Sequence, residues 1–226
     1  MARRPFDMLE GKLVVSVQAD AESPLRDAGH IRALAQCALL GGAAGLRLQG
    51  AEDVVALRSL SDVPIIGLTK SDARHGEVYI TPTAELALGI AAAGADIVAV
   101  DATLRPRPEP FSAIAQAVRS AGAEVLADIS TLREAEAAMA DGANMVATTL
   151  AGYTRDSRQS NGPDFMLMEE LARRGVPFLA EGRIASPAEA RQALDLGAFA
   201  VIVGSAITRP DVITRWYVDA LAAAKV

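Results

Sequence analysis

Short apolar runs recur along this chain at near-regular intervals, and that rhythm constrains its fold more than any single motif. Runs of strand length read Lys12–Gln18, Gly45–Gln49, Ile65–Lys70, Ile97–Asp101, Glu124–Ile129, Met145–Thr149, Phe178–Gly182 and Val201–Gly204. Between and after them lie Ala-rich segments of helix length: His30–Leu40, Ala51–Leu60, Thr83–Ala93, Glu109–Ala121, Thr131–Ala140, Pro163–Arg174, Pro187–Leu196 and a last one from Pro210 to about Ala224. The even-numbered strands follow a Gly-Ala pair, at Gly42-Ala43, Gly94-Ala95, Gly142-Ala143 and Gly197-Ala198, as expected where glycine ends a helix in the left-handed conformation. Strands 3 and 7 follow Val63-Pro64 and Val176-Pro177 instead, which reads as a two-strand unit used four times. No stretch rich in Gly, Pro or Ser divides the chain. Eight parallel strands with short loops remove their exposed edges by closing, so the expected fold is α/β: one (β/α)8 TIM barrel domain over residues 1–226 with a short N-terminal extension.

Barrels of this kind place their ligands at the C-terminal ends of the strands. Those ends carry Gln18, Arg47, Lys70, Asp101, Asp128, Thr148-Thr149, Glu181 and Gly204-Ser205. Side chains alternate across a strand, so Gln18 shares a face with Ser16, Lys70 with Leu68, Asp101 with Ala99, Asp128 with Leu126 and Glu181 with Leu179. Seven polar strand ends aimed at one mouth are more than a structural plug requires. Each has a plainer reading when taken alone: Asp128 as a helix cap, Lys70 as a chain reaching to solvent, Arg47 as a structural partner of Asp101 or Asp128. The stretch Phe178 to Ala190 adds more, since Glu181-Gly182-Arg183 closes strand 7 and Ser186-Pro187-Ala188-Glu189 opens a helix with a capping-box pattern. Gly182 and Arg183 after strand 7, with Gly204, Ser205 and Arg209 after strand 8, form the expected phosphate site.

Composition narrows the partners. With 22 basic and 28 acidic residues the 226-residue chain has a formal charge of −6, so nucleic acid and anionic membrane are poor partners. An anionic ligand must then be held by a few placed arginines and backbone N–H groups. Cys37 is the only cysteine, which fits a cytoplasmic protein, and it is expected in the core. MARRPFDMLEG lacks a continuous apolar segment, so neither a signal peptide nor a membrane span is expected. His30 and His75 stand far apart, His75 in the polar loop Ser71–Glu77, and no cluster has the spacing of metal ligands. No metal or organic cofactor is expected. The last helix presents Val212, Ile213, Trp216, Tyr217, Ala220, Leu221 and Ala224 as a broad apolar face, either packed on its own barrel or buried between subunits.

From Leu13 to Val218 the chain resembles the N-acetylmannosamine-6-phosphate 2-epimerases of sialic acid catabolism. The resemblance rests on Val15-Ser16-Val17-Gln18-Ala19, Gly45-Leu46-Arg47, Pro64 through Lys70, Ala99 through Thr103, Arg107-Pro108, Ala127 through Thr131, Thr148 through Thr154, Ala180 through Arg183 and Gly204 through Pro210. Ala151 and Ser205 are mild departures, relatives often carrying a polar residue and glycine there. The resemblance implies an isomerase that interconverts N-acylmannosamine 6-phosphate and N-acylglucosamine 6-phosphate. It assigns Lys70 as the base at C2 and Glu181 to ring opening and closure. It implies Gln18, Arg47, Asp128, Thr149 and Tyr153 as substrate contacts, and a homodimer. Lys70 would need a depressed pKa, which neighbouring cations and partial desolvation supply. Two other readings stay open: a Schiff-base aldolase or lyase using Lys70, and a barrel that binds a phosphosugar without catalysis.

Overall fold

In the computed structural model, which describes residues 4–71 and 77–223, eight parallel strands close into a barrel in strict sequence order. They are β1 (Leu13–Val17), β2 (Gly45–Gln49), β3 (Ile65–Leu68), β4 (Ile97–Asp101), β5 (Glu124–Asp128), β6 (Met145–Ala147), β7 (Phe178–Ala180) and β8 (Ala200–Val203). Closure comes from β1 pairing with β8, with Leu13 opposite Val201 and Val15 opposite Val203. The helices are α1 (Ala28–Leu40), α2 (Ala51–Arg58), α3 (Ala84–Ala92), α4 (Phe111–Ser120), α5 (Leu132–Ala140), α6 (Phe165–Arg173), α7 (Pro187–Asp195), α8 (Ser205–Thr208) and α9 (Pro210–Ala223). The barrel expected from the sequence is therefore the one observed. His75 and Ala224 lie outside the described residues. Among those described, no helix is long and apolar enough to cross a membrane.

Strand alternation sorts the apolar residues into two layers. Val14, Ile66, Leu68, Ile97, Ala99, Leu126, Leu179 and Ile202 point into the barrel, while Val15, Leu46, Leu48, Val98, Val100, Val125 and Val146 face the helices. The chain before β1 supplies the floor. Phe6 and Leu9, on and just after a 3-10 turn (Phe6–Met8), are buried with the inward-facing residues, and Gly11 N–H donates to Phe199 O at 2.7 Å. Gly45 leaves room for this plug, since a Cβ there would press on Leu9 Cδ2.

Two expectations change, and one of two open readings of the last helix falls away. Gly42, Gly94, Gly142 and Gly197 do have φ near +100°, but Gly122 before β5 and Gly175 before β7 also take positive φ, so glycine endings are not confined to even-numbered strands. Cys37 is exposed, because α1 turns Ile31, Leu34, Ala35 and Ala38 inward and position 37 falls outside that stripe. The last helix does not bury its apolar face on its own barrel: Tyr217 is 70% exposed and Leu221 74%. The capping box at Ser186 and Glu189 forms as the sequence predicts, with Pro187 in the first turn.

Candidate active site

Polar side chains from several strand ends, joined by residues of the loops that follow, surround a cavity of about 690 Å³ at the C-terminal mouth. Gln18, Arg47, Lys70, Thr149 and Glu181 line it from the strand ends. Tyr153, Gly182, Arg183, Gly204, Ser205 and Arg209 line its rim and one side. Of the residues singled out from sequence, Asp128 is not on the wall, nor are Asp101 and Thr148.

Asp128 lies beneath, fully buried and paired with Arg47. The two make a bidentate pair, with Arg47 Nη1 donating to Asp128 Oδ1 at 3.0 Å and Nη2 to Oδ2 at 2.7 Å. Arg47 is itself 1% exposed, and its Nη1 also donates to Glu181 Oε2 at 2.5 Å. Burial works against the guanidinium charge, but Asp128 and Glu181 outweigh it and keep Arg47 protonated. Asp128 is thus neither a helix cap, since Thr131 caps α5, nor a wall of the cavity.

Two carboxylates therefore share one arginine. Glu181 keeps only 13% of its side-chain surface exposed, and burial pushes its pKa up from 4.5 to about 7. Arg47 pulls the other way and Asp128 adds to the rise. Thr149 Oγ1 lies 2.6 Å from Asp128 Oδ1 and 2.9 Å from Glu181 Oε2, and can donate its one proton to either. The Glu181 peptide is fixed on both sides by Thr148, whose hydroxyl accepts from Glu181 N and donates to Glu181 O. A carboxyl poised near neutrality can take and give a proton.

Lys70 stands two residues beyond the end of β3, on a short antiparallel rib. It bridges Ile80, while Thr81 N donates to Thr69 O at 3.0 Å and Ser71 N to Tyr79 O at 2.9 Å. The rib fixes the lysine backbone where strand pairing has stopped. Its side chain is open to the mouth, yet most of what surrounds it is protein. That desolvation lowers the Lys70 pKa, with Arg47 and Arg209 acting in the same direction and Asp20 and Glu181 opposing.

The loops after β7 and β8 frame the cavity's other side. Gly182 has φ +104°, and a Cβ there would crowd Thr148 O and Thr149 O. Gly204 opens α8, whose first-turn N–H groups at Ser205 and Ala206 lack intrahelical acceptors. Thr208 Oγ1 ties this turn to Ser16 O at 2.9 Å. Arg209 reaches the rim already paired, with Asp20 at 2.9 Å and Asp211 at 2.9 Å. Arg183 departs from the expected anion site: its guanidinium turns to the carbonyls of Ser160 and Gly152 and lies over the Tyr153 ring. Asp101 also departs from the polar ring. It is buried against Thr103 and Arg105 and steadies the β4–α4 loop, as an ordinary turn aspartate does.

Sequence reasoning missed Tyr79, Asn161 and Trp216 on the cavity wall. Tyr79 arrives through the rib opposite Lys70 and Asn161 through the loop before α6, neither of which shows a period. Trp216 was legible only as part of an apolar helix face; it sits at the rim and stays 41% exposed.

Comparison with known proteins shows what the chain as a whole is similar to. The NanE family model, described as "Putative N-acetylmannosamine-6-phosphate epimerase", matches residues 31–223. A protein of Thermosynechococcus vestitus named "Putative N-acetylmannosamine-6-phosphate 2-epimerase" is 46% identical over 217 residues, covering 95% of each chain. The "Bifunctional enzyme NanE/NanK" of Brucella melitensis is 45% identical over 224 residues; this chain spans 43% of its length. Among solved structures, the N-acetylmannosamine-6-phosphate 2-epimerase from Clostridium perfringens superposes with a TM-score of 0.94 at 40% identity, covering 97% of both chains.

Proposed function

This chain belongs to the N-acetylmannosamine-6-phosphate epimerase family, and on that premise we propose that it inverts C2 of N-acylmannosamine 6-phosphate to give N-acylglucosamine 6-phosphate. The observation that carries the reading is a basic amine and a near-neutral carboxyl facing one cavity, on either side of a fixed arginine: Lys70, Glu181 and Arg47.

The C2 hydrogen of a closed sugar ring is not acidic, so the ring must open first. Glu181, as carboxylate, takes the O1 proton; the C1–O5 bond breaks, and the acid so formed returns a proton to O5. C2 is now α to an aldehyde. Neutral Lys70 takes the C2 proton, leaving a 2-acylamino enolate whose charge on O1 falls to Arg47, held ready by Asp128. The intermediate turns its other face to the Lys70 ammonium, the proton returns and the ring closes. Gln18, Thr149 and Tyr153 contact the sugar hydroxyl and acyl groups. The phosphate sits on the Ser205 and Ala206 N–H groups beside Gly182 and Gly204, with Arg209 turning from its carboxylate partners to meet it. Binding energy from that distant phosphate is available to orient C2.

The test is hydrogen exchange at C2 in deuterated water. The wild-type enzyme incorporates deuterium, and Lys70→Ala loses incorporation while inorganic phosphate still binds. Normal incorporation in Lys70→Ala would remove the lysine from this role. A stable adduct after borohydride treatment would favour a Schiff-base lyase instead.

The exposed apolar side of α9 further supports a homodimer, in which Tyr217, Val218 and Leu221 become covered. Light scattering at micromolar concentration should give twice the chain mass, and a monomer would count against it.

A further inference from the structure

Arg183 is held in a way that serving an anion does not explain. Its φ is +57°, in the left-handed region that residues with side chains seldom adopt. From that backbone its guanidinium reaches across to the β6–α6 loop. Nη1 donates to Ser160 O at 2.8 Å and Nη2 to Gly152 O at 2.6 Å, and the group lies 4.4 Å from the centre of the Tyr153 ring. One planar fork thus grips both ends of a single loop and the aromatic side chain it carries.

The loop is shaped for this grip. Gly152 has φ +77°, and a Cβ at that position would collide with the Arg183 guanidinium. Within the loop, Ser157 Oγ accepts from Gly152 N at 2.9 Å, and Gln159 Nε2 donates to Thr154 O at 3.0 Å. The segment is folded on itself before Arg183 joins it to the β7–α7 loop. Tyr153 and Asn161, both from this segment, line the cavity.

We propose that Arg183 is a positioning residue that fastens the β6–α6 loop to the β7–α7 loop and so sets where Tyr153 and Asn161 meet the sugar. This rests on the reaction proposed above for the identity of the sugar, and on geometry alone for the latch. A lysine keeps the charge but cannot bridge two carbonyls while stacking on a ring, and a glycine suits the backbone while removing the latch.

The test compares Arg183→Gly and Arg183→Lys with the wild-type enzyme. Amide hydrogen exchange over residues 151–162 should quicken about tenfold or more in both variants as the loop opens locally. KM should rise about tenfold while kcat changes by less than about threefold, because the loop contributes to binding rather than to proton transfer. Inorganic phosphate, titrated by calorimetry, should bind each variant within about twofold of wild type. Arg183→Gly removes the backbone strain, so it should remain folded and the loop measurement stays readable. Loop exchange unchanged in both variants overturns the proposal. So does a tenfold loss of phosphate binding in Arg183→Gly with full retention in Arg183→Lys, which would make Arg183 an anion ligand. If the wild-type enzyme fails to exchange the C2 hydrogen, the reaction falls, but the amide exchange still decides the latch.

Discussion

Glu181 should make this protein less stable as the pH rises, and the size of the effect follows from its surroundings. The carboxyl titrates at about 7 in the folded chain against an ordinary value of 4.5, because burial disfavours its charge more than Arg47 restores it. A group whose folded pKa is raised contributes stability that is complete below its unfolded value and is lost as pH climbs through the folded one. The window is therefore about pH 4.5 to 7. At about 1.4 kcal/mol for each unit between the two values, the contribution lost is about 3 kcal/mol. Glu181→Gln keeps the shape and cannot ionise, so its stability should lack this decline. Urea unfolding of both proteins at intervals from pH 4.5 to 8, followed by tryptophan fluorescence, gives two curves whose difference isolates this one titration. The gap between them should close by about 3 kcal/mol across the window, in the direction that favours the variant at high pH. A difference that is flat, or that moves in favour of the wild-type enzyme, would refute the account of Glu181 as a carboxyl raised by burial.

The same group should shape the rate. If the Glu181 carboxylate takes the O1 proton, kcat/KM rises through pH about 7, and the rise disappears in Glu181→Gln. Asp128→Ala should cost about 3 to 5 kcal/mol in a denaturant titration, since it leaves the Arg47 charge buried without its bidentate partner. C2 exchange should fall as well, because Arg47 loses the partner that holds it. Phe6→Ala should lower stability by about 3 to 5 kcal/mol while leaving KM near its wild-type value, because the floor is remote from the mouth.

Much of the site was legible because it lies on strands. Arg47, Asp128 and Glu181 were placed by the alternation that also placed Leu126 and Leu179, and closure brought their ends together. Alternation says which way a side chain leaves the backbone, not how deep it stops. Asp128 was therefore read as a contact for substrate, whereas its strand ends under Arg47 and both oxygens are taken. Beyond the strand ends the chain has no period, and the reading loses its hold. The rib that carries Tyr79 back past Lys70 depends on pairing between Thr69 and Thr81, residues twelve apart in the sequence. Arg183 follows a glycine and was read as part of a phosphate loop; that it turns to Gly152 and Ser160 depends on the path of a different loop. The last helix shows the reverse case, a clear apolar stripe whose partner no sequence pattern could name.

The stopper of Phe6 and Leu9 makes the reaction chamber a cul-de-sac. A sugar that enters past Tyr153 and Trp216 must back out by the same doorway, so reactant and product queue for one passage.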